Sequence, residues 1–219
     1  MEYLYLVLTA LVSYFVGNLT FARLIAKANK GDVTKSGSGN PGTLNTWRHF
    51  GFWAGVLTFL LDMLKGLIVT LGAYHLFSVL GYNAEVALYV AGFSVILGHC
   101  YPVIFKFKGG KGIATSVGVF AVANWQVALI AFAVMLLGMI LIKYASIFTM
   151  SFVVFMSIWE VCVCNPANWV NYILIGLIAV LILFCHRGNI KRLIQGKENK
   201  TELWKMLTGI FKKRDKKEP

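Results

Sequence analysis

Between residues 3 and 186 the chain runs as long apolar stretches, interrupted by two polar stretches rich in glycine and basic residues and followed by a third. This alternation restricts the fold more than any single motif. An apolar run of about 20 residues can cross a bilayer core of roughly 30 Å as a helix, which leaves no backbone group for lipid to satisfy. Residues 3–27, YLYLVLTALVSYFVGNLTFARLIAK, form the first run. Others cover about 51–77, 86–104, 126–143, 146–163 and 169–186. A seventh, 113–123, is too short to cross unless it tilts or protein shields its ends. The expected fold is an all-α membrane protein of about seven transmembrane helices, one of them short. Residues 1–198 would form one helical transmembrane domain. Residues 199–219 would form a basic amphipathic tail, with Leu203, Trp204, Leu207, Ile210 and Phe211 at helical spacing. Hydrophobic residues make up 58% of the chain, more than a soluble domain of this length carries.

Charge orients the spans. There are 21 basic and 9 acidic residues. In a soluble protein that excess would suggest nucleic acid. Here the basic residues, apart from Lys65 within a span, lie from Arg23 to Arg48, from Lys106 to Lys111, at Lys143, and from Arg187 onward. These positions share one side of the membrane, and the loops on the other side hold Glu85 and no Lys or Arg. The positive-inside rule then puts the N-terminus outside and the C-terminus in the cytoplasm, with no nucleic-acid partner. The N-terminus has Glu2 and no basic residue before Arg23, so it is expected to be retained as the first span.

Polar residues inside the spans need partners. Ser13 and Asn18 are expected to hydrogen-bond to neighbouring helices. Asp62 and Lys65, three residues apart, share a helix face and can pair, which would lock helices together. Cys100, Cys162, Cys164 and Cys185 form no CxxC and read as small buried hydrophobes. No ligand-spaced carboxylates point to a metal, and no cofactor is implied.

The three polar stretches are SGSGNPGTLNTWR at 36–48, KFKGGKGIATS at 106–116 and HRGNIKRLIQGKE at 186–198. All fall on the same side. Glycine-rich loops can turn N–H groups toward an anion, and Arg48 and Lys111 can close on it. A helix starting near Gly112 would point its N-terminus there too. Turn geometry is the other reading of these glycines. KGGKG is not a Walker loop, for it lacks the spacer and the following Ser or Thr. Ser38 can cap a turn or bind phosphate. As a nucleophile it would need a base, and His186 is the nearest by topology. His99, in GHCYP, reads as holding the start of the second loop.

Taken together, these residues resemble the sequence motifs of the bacterial acyl phosphate:glycerol-3-phosphate acyltransferases. GSGNPGTLNTWR is similar to that family's GSGNxGATNxxR, with Thr43-Leu44 in place of Ala-Thr. GHCYPVIFKFKGGKGIAT resembles GHxFPxxxxFKGGKGVAT, with Tyr101 as the aromatic. HRGNIKRLIQGKE fits HRxNIxRLxxGxE, and Asp62–Gly66 supplies DxxKG. The resemblance covers nearly the whole chain, in order. It implies a small multi-span enzyme of the bacterial inner membrane with its site facing the cytoplasm. Ser38, Arg48 and Lys111 would contact phosphate, and His186 and Asn189 would hold glycerol 3-phosphate or its reacting hydroxyl. Gly39, Asn40, Gly42, Asn45, His99, Gly109 and Gly110 would complete the substrate-binding set. Asp62, Lys65 and Glu198 would be structural.

The implied reaction moves a fatty acyl group from acyl phosphate to the 1-hydroxyl of glycerol 3-phosphate. It yields lysophosphatidic acid and phosphate, opens phospholipid synthesis, and couples functionally to the enzyme that supplies acyl phosphate. The HxxxxD pair of other glycerolipid acyltransferases is absent, because the fifth residue after each His is Ala54, Leu80, Ile104 or Lys191. The base is then His186 or a substrate phosphate. The rival reading is an anion channel or phosphate-ester carrier without acyl transfer.

Overall fold

The computed structural model describes residues 1–35 and 37–201. The tail helix expected around Leu203–Phe211 lies outside the described residues. Among those described, the α-helices are α1 (Glu2–Gly17), α2 (Phe21–Ala28), α3 (Thr43–Phe50), α4 (Phe52–Val79) and α5 (Ala84–Cys100). They continue with α6 (Ile113–Ala123), α7 (Trp125–Ile142), α8 (Ala145–Val163), α9 (Trp169–Cys185) and α10 (Arg187–Ile194). Five spans are long and apolar enough to cross a membrane, with α1 and α2 counted as one. A sixth is α9 with α10, bent by 59° at His186.

The short segment is α6. Its 11 residues rise about 16 Å, half a bilayer core. It survives at that length because protein surrounds it. Residues 114–120 are all buried, and α4, α5, α7 and α8 pack against it. Asn124 ends it and caps the next helix, its Oδ1 accepting from Val127 N at 3.3 Å.

Glycines set the closest crossings. A methyl at Gly118 would collide with the Met63 carbonyl on α4, and one at Gly66 with the Thr115 carbonyl on α6. Gly17 and Gly98 bring α1 and α5 together in the same way. Lipid supplies no hydrophobic drive between helices, so such close backbone approach carries much of the association. The outward faces are apolar: on α7, Leu129, Ile130, Val134, Leu137 and Leu141 are each more than half exposed. Lipid tails suit such a face and water does not. Inside, Phe120, Phe152, Val153, Met156, Ile178 and Ile182 form the main core.

The first span breaks between α1 and α2, and the break recruits a charge. Lys65 on α4 donates to the Gly17 and Leu19 carbonyls at 3.2 and 2.7 Å, and pairs with Asp62 at 2.7 Å. The orphaned end of α1 therefore finds its donor in a neighbouring helix. Asn18 differs from its expectation. Its Nδ2 donates to Tyr14 O in its own helix, at 2.6 Å, because the broken turn leaves that carbonyl within reach. The cysteines are free thiols; Cys100 is buried but Cys162 is exposed.

Candidate active site

A cavity of about 370 Å³ opens where α4, α6, α8 and α10 begin and α5, α7 and α9 end. The three polar stretches all reach it. Ser38, Asn40, Gly42, Asn45 and Arg48 line it from the first, Lys111 from the second, and His186, Asn189 and Glu198 from the third. Asp62 and His99 form part of the wall. Val56, Phe59, Phe132, Met135, Leu136 and Met139 make a continuous apolar wall on α4 and α7. One cavity thus offers cations and a hydrocarbon-like surface together.

The first loop is pinned from below. Asn45 is 2% exposed. Its Nδ2 donates to Val33 O at 2.9 Å, and its Oδ1 accepts from Ser38 N at 3.2 Å. Ser38 Oγ accepts from Asn40 N at 3.4 Å, closing a local turn. Gly39 has φ of +69°, a conformation that favours glycine, and it sits behind the lining. Gly42 caps α3, and Thr43 and Leu44 border the cavity with the first turn of that helix. Gly112, Ile113 and Ala114 do the same at the start of α6. First-turn N–H groups have no partner inside their own helix, so two helix starts favour an anion here.

Gly109 and Gly110 favour the turn-geometry reading. Neither lines the cavity. Their N–H groups donate to the Cys100 and His99 carbonyls at 3.1 and 3.0 Å, where α5 ends. A methyl at Gly109 would collide with His99 O, and one at Gly110 with the His99 ring. They are glycines because the loop folds back onto that helix end.

The cations are held by a shared network. Lys111 Nζ donates to Asn189 Oδ1 at 2.6 Å, and Asn189 Nδ2 donates to Glu198 Oε1 at 2.6 Å. Glu198 also accepts from Ser146 Oγ at 2.8 Å and pairs with Arg192 Nε at 2.9 Å. Burial lowers the Lys111 pKa, the Arg192 charge lowers it further, and Glu198 opposes both. Arg48 is lowered by burial and raised by Glu198. For Glu198, burial raises the pKa, but hydrogen bonds from Asn189 and Ser146 and the Arg192 charge outweigh it, so the carboxyl stays below its ordinary value. One carboxylate among three cations leaves net positive charge for a ligand.

The two histidines of the wall have different partners. A carbonyl can only accept, so His186 Nδ1–H donates to Ile182 O at 2.8 Å, and Nε2 keeps a lone pair. His99 Nδ1 lies 2.9 Å from Lys65 Nζ and 3.5 Å from Asp62 Oδ1. His99 is therefore bound into the Asp62–Lys65 pair rather than merely holding the loop start.

Reasoning from the motifs alone passed over Arg192, Ser146, Thr149, Asn199 and Thr201, all of which line the cavity. Arg192 was legible, since it stands inside the third stretch. The others carry no local signal. Among the described residues, no three of His, Cys, Asp and Glu are grouped to hold a metal ion.

The helical bundle with this cationic, apolar-walled pocket defines an integral membrane protein built to hold an amphiphilic anion. The chain matches the family described as "Glycerol-3-phosphate acyltransferase" over residues 7–196, and it belongs to that family. It is 38% identical over 214 residues to the glycerol-3-phosphate acyltransferase of Thermosipho melanesiensis, covering 97% of this chain and 100% of that one. The Aquifex aeolicus glycerol-3-phosphate acyltransferase is 37% identical over 200 residues, covering 91% and 100%. Among solved structures, PlsY (YgiH), an integral membrane glycerol 3-phosphate acyltransferase, aligns in its glycerol 3-phosphate form with a TM-score of 0.81 and 35% identity. That alignment covers 92% of this chain and 98% of PlsY. The lysophosphatidic acid form aligns with the same score.

Proposed function

We propose that residues 1–198 form one catalytic domain that moves a fatty acyl group from acyl phosphate to the 1-hydroxyl of sn-glycerol 3-phosphate. The products are lysophosphatidic acid and phosphate, and the step begins phospholipid synthesis downstream of an enzyme that supplies acyl phosphate. The observation that carries this reading is the junction of Arg48, Lys111 and Asn189 with an apolar wall in one cavity. Two phosphates can share the cations while the acyl chain lies along α4 and α7, having entered sideways from lipid. Charge asymmetry supports a site facing the cytoplasm of a bacterial inner membrane, with the N-terminus outside.

The hydroxyl oxygen attacks the acyl carbonyl carbon, and the bond from that carbon to the phosphate oxygen breaks. Acyl phosphate is a mixed anhydride with a good leaving group, so the enzyme mainly aligns two anions and neutralises them. The hydroxyl proton passes to a phosphate oxygen of a substrate. His186 Nε2, which has its lone pair, accepts a hydrogen bond from the neighbouring 2-hydroxyl of glycerol 3-phosphate and so orients the substrate.

Purified protein with palmitoyl phosphate and glycerol 3-phosphate should form lysophosphatidic acid. His186→Gln should keep measurable turnover; complete loss with acyl phosphate still bound would make His186 the base. No lysophosphatidic acid from well-folded protein would reject the reading.

A further inference from the structure

Beyond the third stretch the chain returns to the cavity. Asn199 and Lys200 are exposed, yet Thr201 is only 3% exposed. Its backbone N–H donates to the Lys143 carbonyl at 2.6 Å, just past the end of α7. Its hydroxyl accepts from Arg48 Nη2 at 3.1 Å. Arg48 has no carboxylate in ion-pair contact among the described residues.

We infer that Thr201 is a positioning residue: it fixes the Arg48 guanidinium at the cavity wall so that its remaining donors face a substrate phosphate. The inference rests on the reading of Arg48 as a phosphate ligand. A guanidinium has five N–H donors in a rigid fork, so anchoring one edge orients the rest. A neutral hydroxyl is well chosen for that task. A carboxylate would grip Arg48 harder but would cancel the charge intended for phosphate. The Lys143 carbonyl holds Thr201 in turn, and Glu198 ties the preceding residues to α8 and α10. Residues 198–201 thus form a strap linking the ends of α3, α7 and α10, and Thr201 lies beyond the stretch matched by the family.

Thr201→Val removes the hydroxyl but keeps the shape and the backbone bond. It should raise KM for at least one phosphorylated substrate about five- to tenfold, with kcat within about twofold, as loss of one charge-assisted hydrogen bond implies. Thr201→Ser should restore KM. In an Arg48→Ala background, Thr201→Val should add less than about twofold, because both changes act through one contact. A purely structural role would instead lower kcat through a smaller active fraction, leave KM unchanged, and do so in both backgrounds; that result overturns the inference. Unchanged kinetics in Arg48→Ala alone would defeat the phosphate reading of Arg48, and the inference with it. An impaired Arg48→Ala beside an unaffected Thr201→Val would defeat the inference alone.

Discussion

At the end of the bundle away from the cavity, α5, α8 and α9 carry a polar cluster of their own. Asn83 Oδ1 caps α5, and its Nδ2 donates to Asn168 Oδ1 at 2.6 Å. Asn168 and Asn171 both donate to Glu85 Oε2, at 2.9 and 3.4 Å. Tyr89 donates to Glu160 Oε2 at 2.8 Å. These amides, carboxylates and hydroxyls resemble those around Lys111, but here their bonds run from helix to helix and no Lys or Arg stands between residues 80 and 90 or 160 and 172. At the cavity end, Arg48, Lys111 and Arg192 share the carboxylate of Glu198, while Asp62 in the wall is paired with Lys65. Polar groups that satisfy one another make a clamp. Polar groups left with excess charge beside open space make a site. The same contrast argues against a phosphate-ester carrier, which would need a cationic entrance at both ends.

The largest effect should therefore come from removing charge at the cavity. Lys111→Ala should cut kcat/KM by about two orders of magnitude or more, the scale of losing a preorganised donor at the reacting phosphate. Glu85→Gln at the opposite end should lower thermal stability in detergent but leave kcat within about twofold. Parallel assays of both variants decide the matter. Equal losses of turnover would mean that the two ends do not divide chemistry from structure.

Next in size is the close crossing of α4 and α6. Gly118→Ala should destabilise the protein by about 1–3 kcal/mol, since α4 and α6 would have to separate to admit the methyl. Thermal unfolding in detergent measures it. A full-strength variant would show that the backbones can slide apart at little cost.

A smaller effect should appear in pH profiles. Burial holds Lys111 below its ordinary 10.5, helped by Arg192 and opposed by Glu198. Its proton is thus lost at lower pH than from an exposed lysine, whereas a bound phosphate favours the charged form. KM for glycerol 3-phosphate should climb as pH rises through that lowered value, and Glu198→Gln should move the climb to lower pH. The acid side has the other sign. Glu198 sits below its ordinary 4.5, so its stabilisation is present above 4.5 and is lost as pH falls through the lowered value. The Glu198→Gln variant should lack that acid loss. A KM limb that stays in place in Glu198→Gln would uncouple the carboxylate from Lys111.

How much of this was legible in the sequence depended on where the cause lay. Span positions followed from apolar runs, and α6 was correctly set apart by its length, because both are local properties. The meeting of Arg48, Lys111 and Asn189 was legible only as same-sidedness, through charge, together with the motif resemblance. What escaped were causes that exist only in packing. Gly109 and Gly110 look like a phosphate loop in one dimension, but their N–H groups are consumed by the end of α5. Lys65 looked like half of an ion pair, but it also closes the broken end of α1 and touches the His99 ring. Thr201 is an ordinary threonine in a polar run until the fold carries it back to Arg48.

The smallest effect is expected at Glu160, and it tests the clamp itself. Glu160 is 3% exposed, and its Oε1 has no hydrogen-bond partner among the described residues although Oε2 accepts from Tyr89. Glu160→Gln keeps an acceptor for Tyr89 and the same volume while removing any need to bury a negative charge. Replacing a buried charge by a neutral isostere is often neutral or stabilising. Unfolding free energy and kcat should therefore stay within about 1 kcal/mol and about twofold of the parent. Glu198, by contrast, is shared by Asn189, Ser146 and Arg192, so its amide variant cannot satisfy all three and should cost more. If Glu160→Gln proved the more damaging of the two, the carboxylate at the far end would be holding a positive partner, and that end would have to be read as a charged site in its own right.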